Sequence, residues 1–301
     1  MNISILGGGN IGMCLLGEIS RVKGYDVTIY TSKADLFDDK ILVEDLEKKI
    51  TFSSGPIKAT KHMDEAIRDA DIILCTIPSF LRKNIVSQVS KYIKPEACLG
   101  FFPAYGGAEL YCGELIGKGV TIFGLQKVPY VARTKEVGKV AGLWSKKNQL
   151  YIASLPGSNI DKIKDFLEET LQISCEVLPN YLAVTLLPGN PLLHTSGSYV
   201  LLHNHHVKDI FPYQIYYYQS WDDSCSEMIC KMSDEMEAVC KALPLDMSGV
   251  QSIQTYYESP TPTDLTRKFH SIPSFHDLTL PMIKTRGRLS ENYSVANILN
   301  I

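Results

Sequence analysis

Three short segments of this chain carry residues whose types and spacing could do chemistry. The first is Gly7-Gly8-Gly9-Asn10-Ile11-Gly12, which directly follows the apolar run Met1-Asn2-Ile3-Ser4-Ile5-Leu6. Glycines in this pattern suit a strand that turns into a helix. Gly7 allows the tight turn, Gly9 lets a pyrophosphate approach the backbone, and Gly12 lets the helix pack close to the strand. The free N–H groups at the helix start, around Asn10 and Ile11, would hold the phosphates. The second segment is Thr31-Ser32-Lys33. An acid commonly stands about 20 residues after such a turn, where it meets the 2′-hydroxyl of NAD. Two hydroxyls and a cation stand here instead, which suits a 2′-phosphate. NADP(H) is therefore favoured, with NAD as the alternative and Asp35 a little farther along. The third segment is Gly189-Asn190-Pro191-Leu192-Leu193-His194. Asn190 followed by Pro191 reads as an N-cap and a first helical residue. His194 lies four residues on and Ser198 four more, so all three share one face. A helix histidine is more often structural, but a polar trio after a dinucleotide-binding pattern weakens that reading. Histidine titrates near neutral pH and can exchange a proton during hydride transfer.

The elements that must position these residues alternate between strand and helix over the first 180 or so residues. Helical spacing is carried by Ile11, Leu15, Ile19 and Val22. Residues 27–31 read as a second strand, and 50–52 with 57–59 as a small hairpin around Gly55-Pro56. A short helix is expected over 64–70. Residues 72–77 form a continuous apolar run, as expected of a strand buried on both faces. Ile77 and Pro78, at its end, are counted with the cofactor-binding residues, and Ser79 is placed as the cap of a helix to about Lys91. Further strands are expected at 98–102 and 121–125. Such alternation implies a Rossmann-type, doubly wound α/β fold with a mostly parallel sheet. The character changes near Pro179. The expected division is a dinucleotide-binding domain over 1–179 and a mostly α-helical substrate and catalytic domain over 180–301. In the latter, helices are expected over 190–206 and 222–241, the second with Cys225, Met228, Met232, Met236 and Val239 on one packing stripe. Pro260, Pro262 and Pro273 are read as breaking up the remainder.

Composition excludes several classes. The chain has 301 residues, 45% hydrophobic and 21% charged, with a formal net charge of −3. That balance argues against nucleic acid or an anionic membrane surface as the partner. No apolar stretch is long enough to span a membrane. The N-terminal apolar run is too short for a signal peptide, and a strand starting at residue 2 leaves no room for a transit segment. The eight cysteines, Cys14, Cys75, Cys98, Cys112, Cys175, Cys225, Cys230 and Cys240, form no C-x-x-C pair. They read as reduced core thiols, and a cytoplasmic protein is the expectation. His203-Asn204-His205-His206 points its rings in different directions with no carboxylate at ligand spacing, so no metal site is expected. Tyr216-Tyr217-Tyr218 lacks interleaved basic residues and reads as packing.

Several motifs now combine: GGGNIG at 7–12, DIILCTIPS at 71–79, PAYGGAE at 103–109, GLQKVPYVAR at 124–133, NPLLH at 190–194 and YYYQSWDDSCSEMI at 216–229. On these the chain resembles the octopine/nopaline (opine) dehydrogenase family, within the larger group built like 6-phosphogluconate dehydrogenase. The resemblance implies reductive condensation: an amino acid's amine and a 2-oxo acid's carbonyl form an imine, which NAD(P)H reduces. It implies that His194 is the acid/base group and that Asn190 positions substrate or nicotinamide. It also places Gln126 near the oxo-acid carboxylate. The family carries an Asp paired to the histidine in an Arg-aromatic-x-x-Glu-Asp segment. The nearest match here is Gly287-Arg288-Leu289-Ser290-Glu291-Asn292, with Asn292 at the Asp position and Gly287 where the Arg belongs. The sequence also stops at Ile301, where the family's members continue. Asn292 is counted with Gln126 as substrate-binding. Three readings stay open: Glu291 or Asp277 substitutes for the Asp, the reaction is a ketopantoate-type reduction of a 2-oxo acid, or the protein binds dinucleotide with little catalysis. Small-molecule substrates are the expected partners, and a homodimer is compatible with all three.

Overall fold

The structure, a computed structural model, describes residues 1–186, 189–204, 215–276 and 278. The chain divides into two compact units, Met1–Thr185 and a second beginning at Leu186. Among the described residues no helix is long and apolar enough to cross a membrane.

The first unit holds twelve strands: β1 (Asn2–Leu6), β2 (Asp26–Tyr30), β3 (Leu42–Asp45), β4 (Ile50–Ser53), β5 (Ile57–Thr60), β6 (Ile72–Cys75), β7 (Cys98–Phe101), β8 (Thr121–Leu125), β9 (Tyr130–Glu136), β10 (Val140–Lys146), β11 (Gln149–Leu155) and β12 (Ser174–Val177). Eight of them form one sheet in the order β12-β11-β8-β7-β6-β1-β2-β5. All its pairings are parallel except that of β11 with β8. The central strands β6 and β7 are buried at every residue, which their unbroken apolar sequences require. Helices α1 (Asn10–Ile19), α2 (Met63–Ile67), α3 (Ser79–Val89), α4 (Gly113–Gly117) and α5 (Ile160–Leu171) complete this unit with α6 (Tyr181–Leu186) at its end. This is the expected doubly wound fold.

A second, four-stranded sheet, β4-β3-β10-β9, was not expected. It also corrects the hairpin over 50–59: β4 pairs antiparallel with β3, while β5 pairs parallel with β2 in the large sheet. The Gly55-Pro56 segment is thus a crossing between sheets. Helix α1 packs against β9, β10 and β3 of the small sheet as well as β1 and β2 of the large one. That explains why its burial exceeds one amphipathic stripe: Gly12, Met13, Cys14, Leu15, Leu16, Gly17 and Ile19 are all buried. A Cβ on Gly17 would stand 2.2 Å from Val43 Cγ2, so the helix needs glycine there to approach β3. Glu18 closes the contact: Tyr130 donates its hydroxyl to one carboxylate oxygen, and Lys146 Nζ lies 2.5 Å from the other.

The second unit is helical, with α7 (Asn190–Leu202), α8 (Asp223–Ala242), α9 (Ile253–Tyr256) and α10 (Pro262–Ser271). Its core is aromatic, with Tyr217, Tyr218, Trp221 and Phe269 buried together beside Leu192, Leu193 and Ile229. A Cβ on Gly197 would meet Trp221 at 2.3 Å and Tyr217 Oη at 2.4 Å, so α7 presents bare backbone to this cluster. Several expected details are corrected. The N-cap of α7 is Gly189, and Asn190 is the first helical residue. The helix ends at Leu202, and His205 and His206 lie outside the described residues. On α8 the buried face runs through Cys225, Ser226, Ile229, Cys230, Ser233 and Cys240. Met232 and Met236 only border it, and Val239 is 50% exposed. Pro262 begins a helix rather than breaking one, with Thr261 Oγ1 accepting from the Asp264 N–H at 3.1 Å. All eight cysteines are free and buried.

Candidate functional site

In the first unit, strand register brings most of the expected residues to one edge. Leu6 is level with Tyr30 and Cys75, Cys75 with Phe101, and Phe101 with Gly124. Two residues farther on, at the carboxyl ends of these five parallel strands, stand Gly8, Ser32, Ile77, Pro103 and Gln126. The chain leaves β1 toward β2 on one side and returns to β6 on the other, so the β1/β6 boundary is where strand order reverses. Sheets of this class bind ligands at such a point.

The glycines of the turn differ in what surrounds them. Gly7 has φ +110°, and its N–H donates to Tyr30 O at 2.9 Å. Thr76 Oγ1 donates to the carbonyl of Leu6 or Gly7, at 3.0 and 3.1 Å, locking the turn onto β6. A Cβ on Gly12 would sit 1.8 Å from the Gly7 carbonyl oxygen. Gly8, which the motif leaves unspecified, is confined by Thr31 Oγ1 and Phe37, at 2.8 and 3.1 Å from where its Cβ would be. Gly9 differs: a Cβ there would meet nothing within 4 Å. It is the N-cap of α1, and its backbone faces open space at the helix start. This geometry fits a dinucleotide's diphosphate, which needs bare backbone and forward-pointing N–H groups. Asn10 contributes backbone only, since its Oδ1 accepts from the Thr134 N–H at 2.8 Å. Ile11 is half-buried against the core.

At the end of β2, Thr31 is buried, and its Oγ1 accepts the Lys33 N–H at 3.3 Å; Ser32 and Lys33 are exposed. Asp35 is paired with Lys61, a residue that sequence reasoning passed over. At the end of β6, Ile77 is buried and Pro78 half-buried. The N-cap of α3 is Pro78, so Ser79 opens that helix instead of capping it. The buried Arg82 of α3 reaches under this edge: it donates to Ile77 O at 3.3 Å, Tyr105 O at 2.8 Å and Pro103 O at 2.6 Å. Arg82 thereby fixes the loop at 103–109. Glu109 ends that loop, accepting from Thr185 Oγ1 at 2.9 Å, and burial raises its pKa above the ordinary carboxylate value. Gln126 is 4% exposed just beyond β8, and Lys127 follows it. Burial, and then the charge of Lys147, pull the Lys127 pKa down to about 7.

In the second unit, His194 lies one turn into α7, half-buried. Its Nε2 is 3.2 Å from Tyr218 Oη, and its ring meets Tyr217 edge-on at 6.0 Å. Tyr217 donates its hydroxyl to the carbonyls of Leu193 and His194, at 3.1 and 3.0 Å. Tyr218 stacks on Phe275 with centroids 3.9 Å apart. Of the three consecutive tyrosines read as packing, Tyr217 packs, while Tyr218 also orients the histidine. Asn190 is exposed at the start of the helix. Asn292, Glu291 and Asp277 lie outside the described residues. Among the described residues no group of three or more His, Cys, Asp or Glu is placed to hold a metal ion.

A doubly wound sheet with a glycine turn at its switch point, followed by a helical unit bearing an oriented histidine, defines a class, that of the NAD(P)-dependent dehydrogenases. Residues 177–291 match the family model described as NAD/NADP octopine/nopaline dehydrogenase, alpha-helical domain. Residues 2–100 match that of the NAD-dependent glycerol-3-phosphate dehydrogenase N-terminus. Over residues 177–291 the chain is therefore similar to the octopine/nopaline dehydrogenases. Among its relatives, tauropine dehydrogenase of Arabella iricolor is 23% identical over 94% of this chain and 78% of its own length. A solved octopine dehydrogenase in complex with NADH and agmatine superposes with a TM-score of 0.81 at 21% identity, covering 95% of this chain and 77% of that one. Yersinopine dehydrogenase with NADP+ bound gives a TM-score of 0.68 at 13% identity, over 100% of this chain and 77% of that one. At these identities the structural likeness is one of fold.

Proposed function

We propose that this protein is an NADP(H)-dependent opine-type oxidoreductase, joining an amino acid to a 2-oxo acid by reductive condensation. The observation that carries the reading is His194, held on Tyr218 within the segment that matches the family's helical domain. Residues 1–179 would bind the dinucleotide, with its diphosphate at Gly7, Gly9, Asn10, Ile11 and Gly12. Ile77 and Pro78 would border it. Thr31, Ser32 and Lys33 would meet the 2′-phosphate. The bound reduced cofactor supplies the hydride that reduces the imine carbon. The other steps are proton transfers. The amine must lose a proton to attack, and the carbonyl oxygen must gain protons to leave as water. His194 exchanges these protons, and Tyr218 holds its ring in one orientation. Gln126 and Asn292 would bind substrate, and Asn190 would position substrate or nicotinamide. Relatives named for tauropine and octopine support this chemistry, and structures holding NADH and NADP+ support a nicotinamide cofactor of either kind.

The test is NADPH and NADH oxidation across pairs of amino acids and 2-oxo acids. Oxidation is expected only when both partners are present, and faster with NADPH. His194→Ala should lower kcat by about 10²-fold or more, the usual worth of general acid–base catalysis. Full activity in that variant would remove the histidine from the mechanism. Oxidation by the oxo acid alone would favour a simple 2-oxo acid reductase. Dinucleotide binding without turnover on any pair would favour a homologue with little catalysis.

A further inference from the structure

The stretch that follows β2 curls back on the glycine turn. Both of its ends meet Gly8: Thr31 Oγ1 and a ring carbon of Phe37 lie 2.8 and 3.1 Å from where a Cβ on Gly8 would be. Between them, Ala34–Leu36 forms a short 3₁₀ turn, closed by the Leu36 N–H on Lys33 O at 3.0 Å. Ser32, Lys33 and Asp35 therefore stand exposed on one short arc beside the glycine turn. Strand β5 runs alongside. It pairs in parallel with β2, Tyr30 level with Thr60, and the Thr31 N–H donates to Thr60 O at 3.0 Å. That register brings the next residue, Lys61, to the same edge. Its backbone is braced, because Thr60 Oγ1 donates to Glu65 Oε2 at 2.8 Å and accepts the His62 N–H at 3.1 Å. From there the Lys61 ammonium pairs with the Asp35 carboxylate.

Both side chains are exposed, so the pair adds little to stability. Its consequence is for charge at the arc. Asp35 is the first acid after β2. An acid in this region serves a ribose that carries a free 2′-hydroxyl. Left unpaired, Asp35 would offer an acceptor to NAD and would repel a 2′-phosphate. Paired with Lys61, its acceptor is taken and its charge is offset. Ser32 and Lys33 are exposed beside it, a hydroxyl and a cation suited to a phosphate.

We propose that Lys61 is a specificity-determining residue for the cofactor: by holding Asp35 it cancels an NAD-type acceptor and so sets the preference for a 2′-phosphorylated dinucleotide. This rests on the dinucleotide reading of the turn, with Ser32 and Lys33 as the phosphate's partners. Lys61 acts through Asp35 and is not asked to touch the cofactor.

NADP+ and NAD+ are each titrated calorimetrically into the full chain, into Lys61→Met, into Asp35→Asn and into the double variant Lys61→Met/Asp35→Asn. The readout is the ratio of the two affinities. The wild type should bind NADP+ the more tightly. Lys61→Met should reduce that preference by roughly 5- to 20-fold, the effect of a bare carboxylate facing a doubly charged phosphate in water. Asp35→Asn should hold or raise it. The double variant should return close to the wild-type ratio, because the acid that Lys61 restrains is then gone. Thermal melts confirm that each variant folds. A wild-type ratio favouring NAD+ overturns the proposal, as does a ratio unmoved by Lys61→Met. A loss that persists in the double variant overturns it too, since Lys61 would then act on the phosphate directly. A preference for NADP+ without these shifts removes the role of Lys61 and leaves the cofactor reading standing; binding of neither dinucleotide removes both.

Discussion

The Tyr218 hydroxyl, 3.2 Å from His194 Nε2, makes the histidine's orientation a property of two residues. The Tyr218 ring is held independently by its stack on Phe275 and by Trp221 and Phe269. Tyr218→Phe therefore removes the hydrogen bond with little disturbance of packing. A lost hydrogen bond of about 1–1.5 kcal/mol should appear as roughly tenfold in kcat, with a smaller change in KM. Steady-state kinetics check this. An unchanged rate would mean that other contacts orient the ring.

Among the elements, the strand–turn–helix of β1 and α1 separates two roles of glycine that the motif merges. Gly12 is needed by the fold, since its Cβ would overlap the Gly7 carbonyl at 1.8 Å. Gly9 carries no such demand, with open space around its Cβ position and a φ of −90° that alanine tolerates. Gly12→Ala should thus destabilise the first unit by about 1–3 kcal/mol or more, as overpacking does. Gly9→Ala should leave stability within about 0.5 kcal/mol. It should nonetheless weaken dinucleotide binding by tenfold or more, because a methyl group would stand where the diphosphate approaches. Thermal melts with a dinucleotide titration on both variants read this contrast. Equal losses of stability would contradict the division of roles.

Across the whole molecule, two buried groups give stability an unusual dependence on pH. Glu109 has its pKa raised from 4.5, chiefly by burial. The folded state therefore holds that proton more tightly than the unfolded chain, and stability falls as pH rises from about 4.5 through the raised value. Lys127 has its pKa lowered from 10.5 to about 7. The unfolded chain binds this proton more tightly, so the penalty is complete below about pH 7. It is relieved as pH rises from 7 toward 10.5. Lys127→Met should accordingly melt higher than wild type at pH 6, with an advantage that shrinks toward pH 9–10. Glu109→Gln should flatten the decline above pH 4.5. Calorimetric melts of the three proteins across pH check both signs, and parallel curves would refute them.

Much of the arrangement was legible along the chain because its causes are local. Continuous apolar runs at 72–77 and 98–102 can only be central strands, and Gly7, Gly9 and Gly12 answer to backbone geometry within one turn. His194 and its helix followed from spacing. The second sheet was hidden, because β9, β10 and β3 alternate weakly, and β10 joins β3 across about 100 residues. The hairpin over 50–59 was misread because each strand pairs away from the Gly55-Pro56 turn, β4 with the preceding β3 and β5 with β2. What the sequence by itself determined is the glycine turn, the parallel sheet that presents it and the histidine helix. Only the tertiary structure decided that Tyr218 orients His194 and that Arg82 fixes the loop at 103–109. Such contacts join residues distant in sequence through burial and charge, and no local pattern records them.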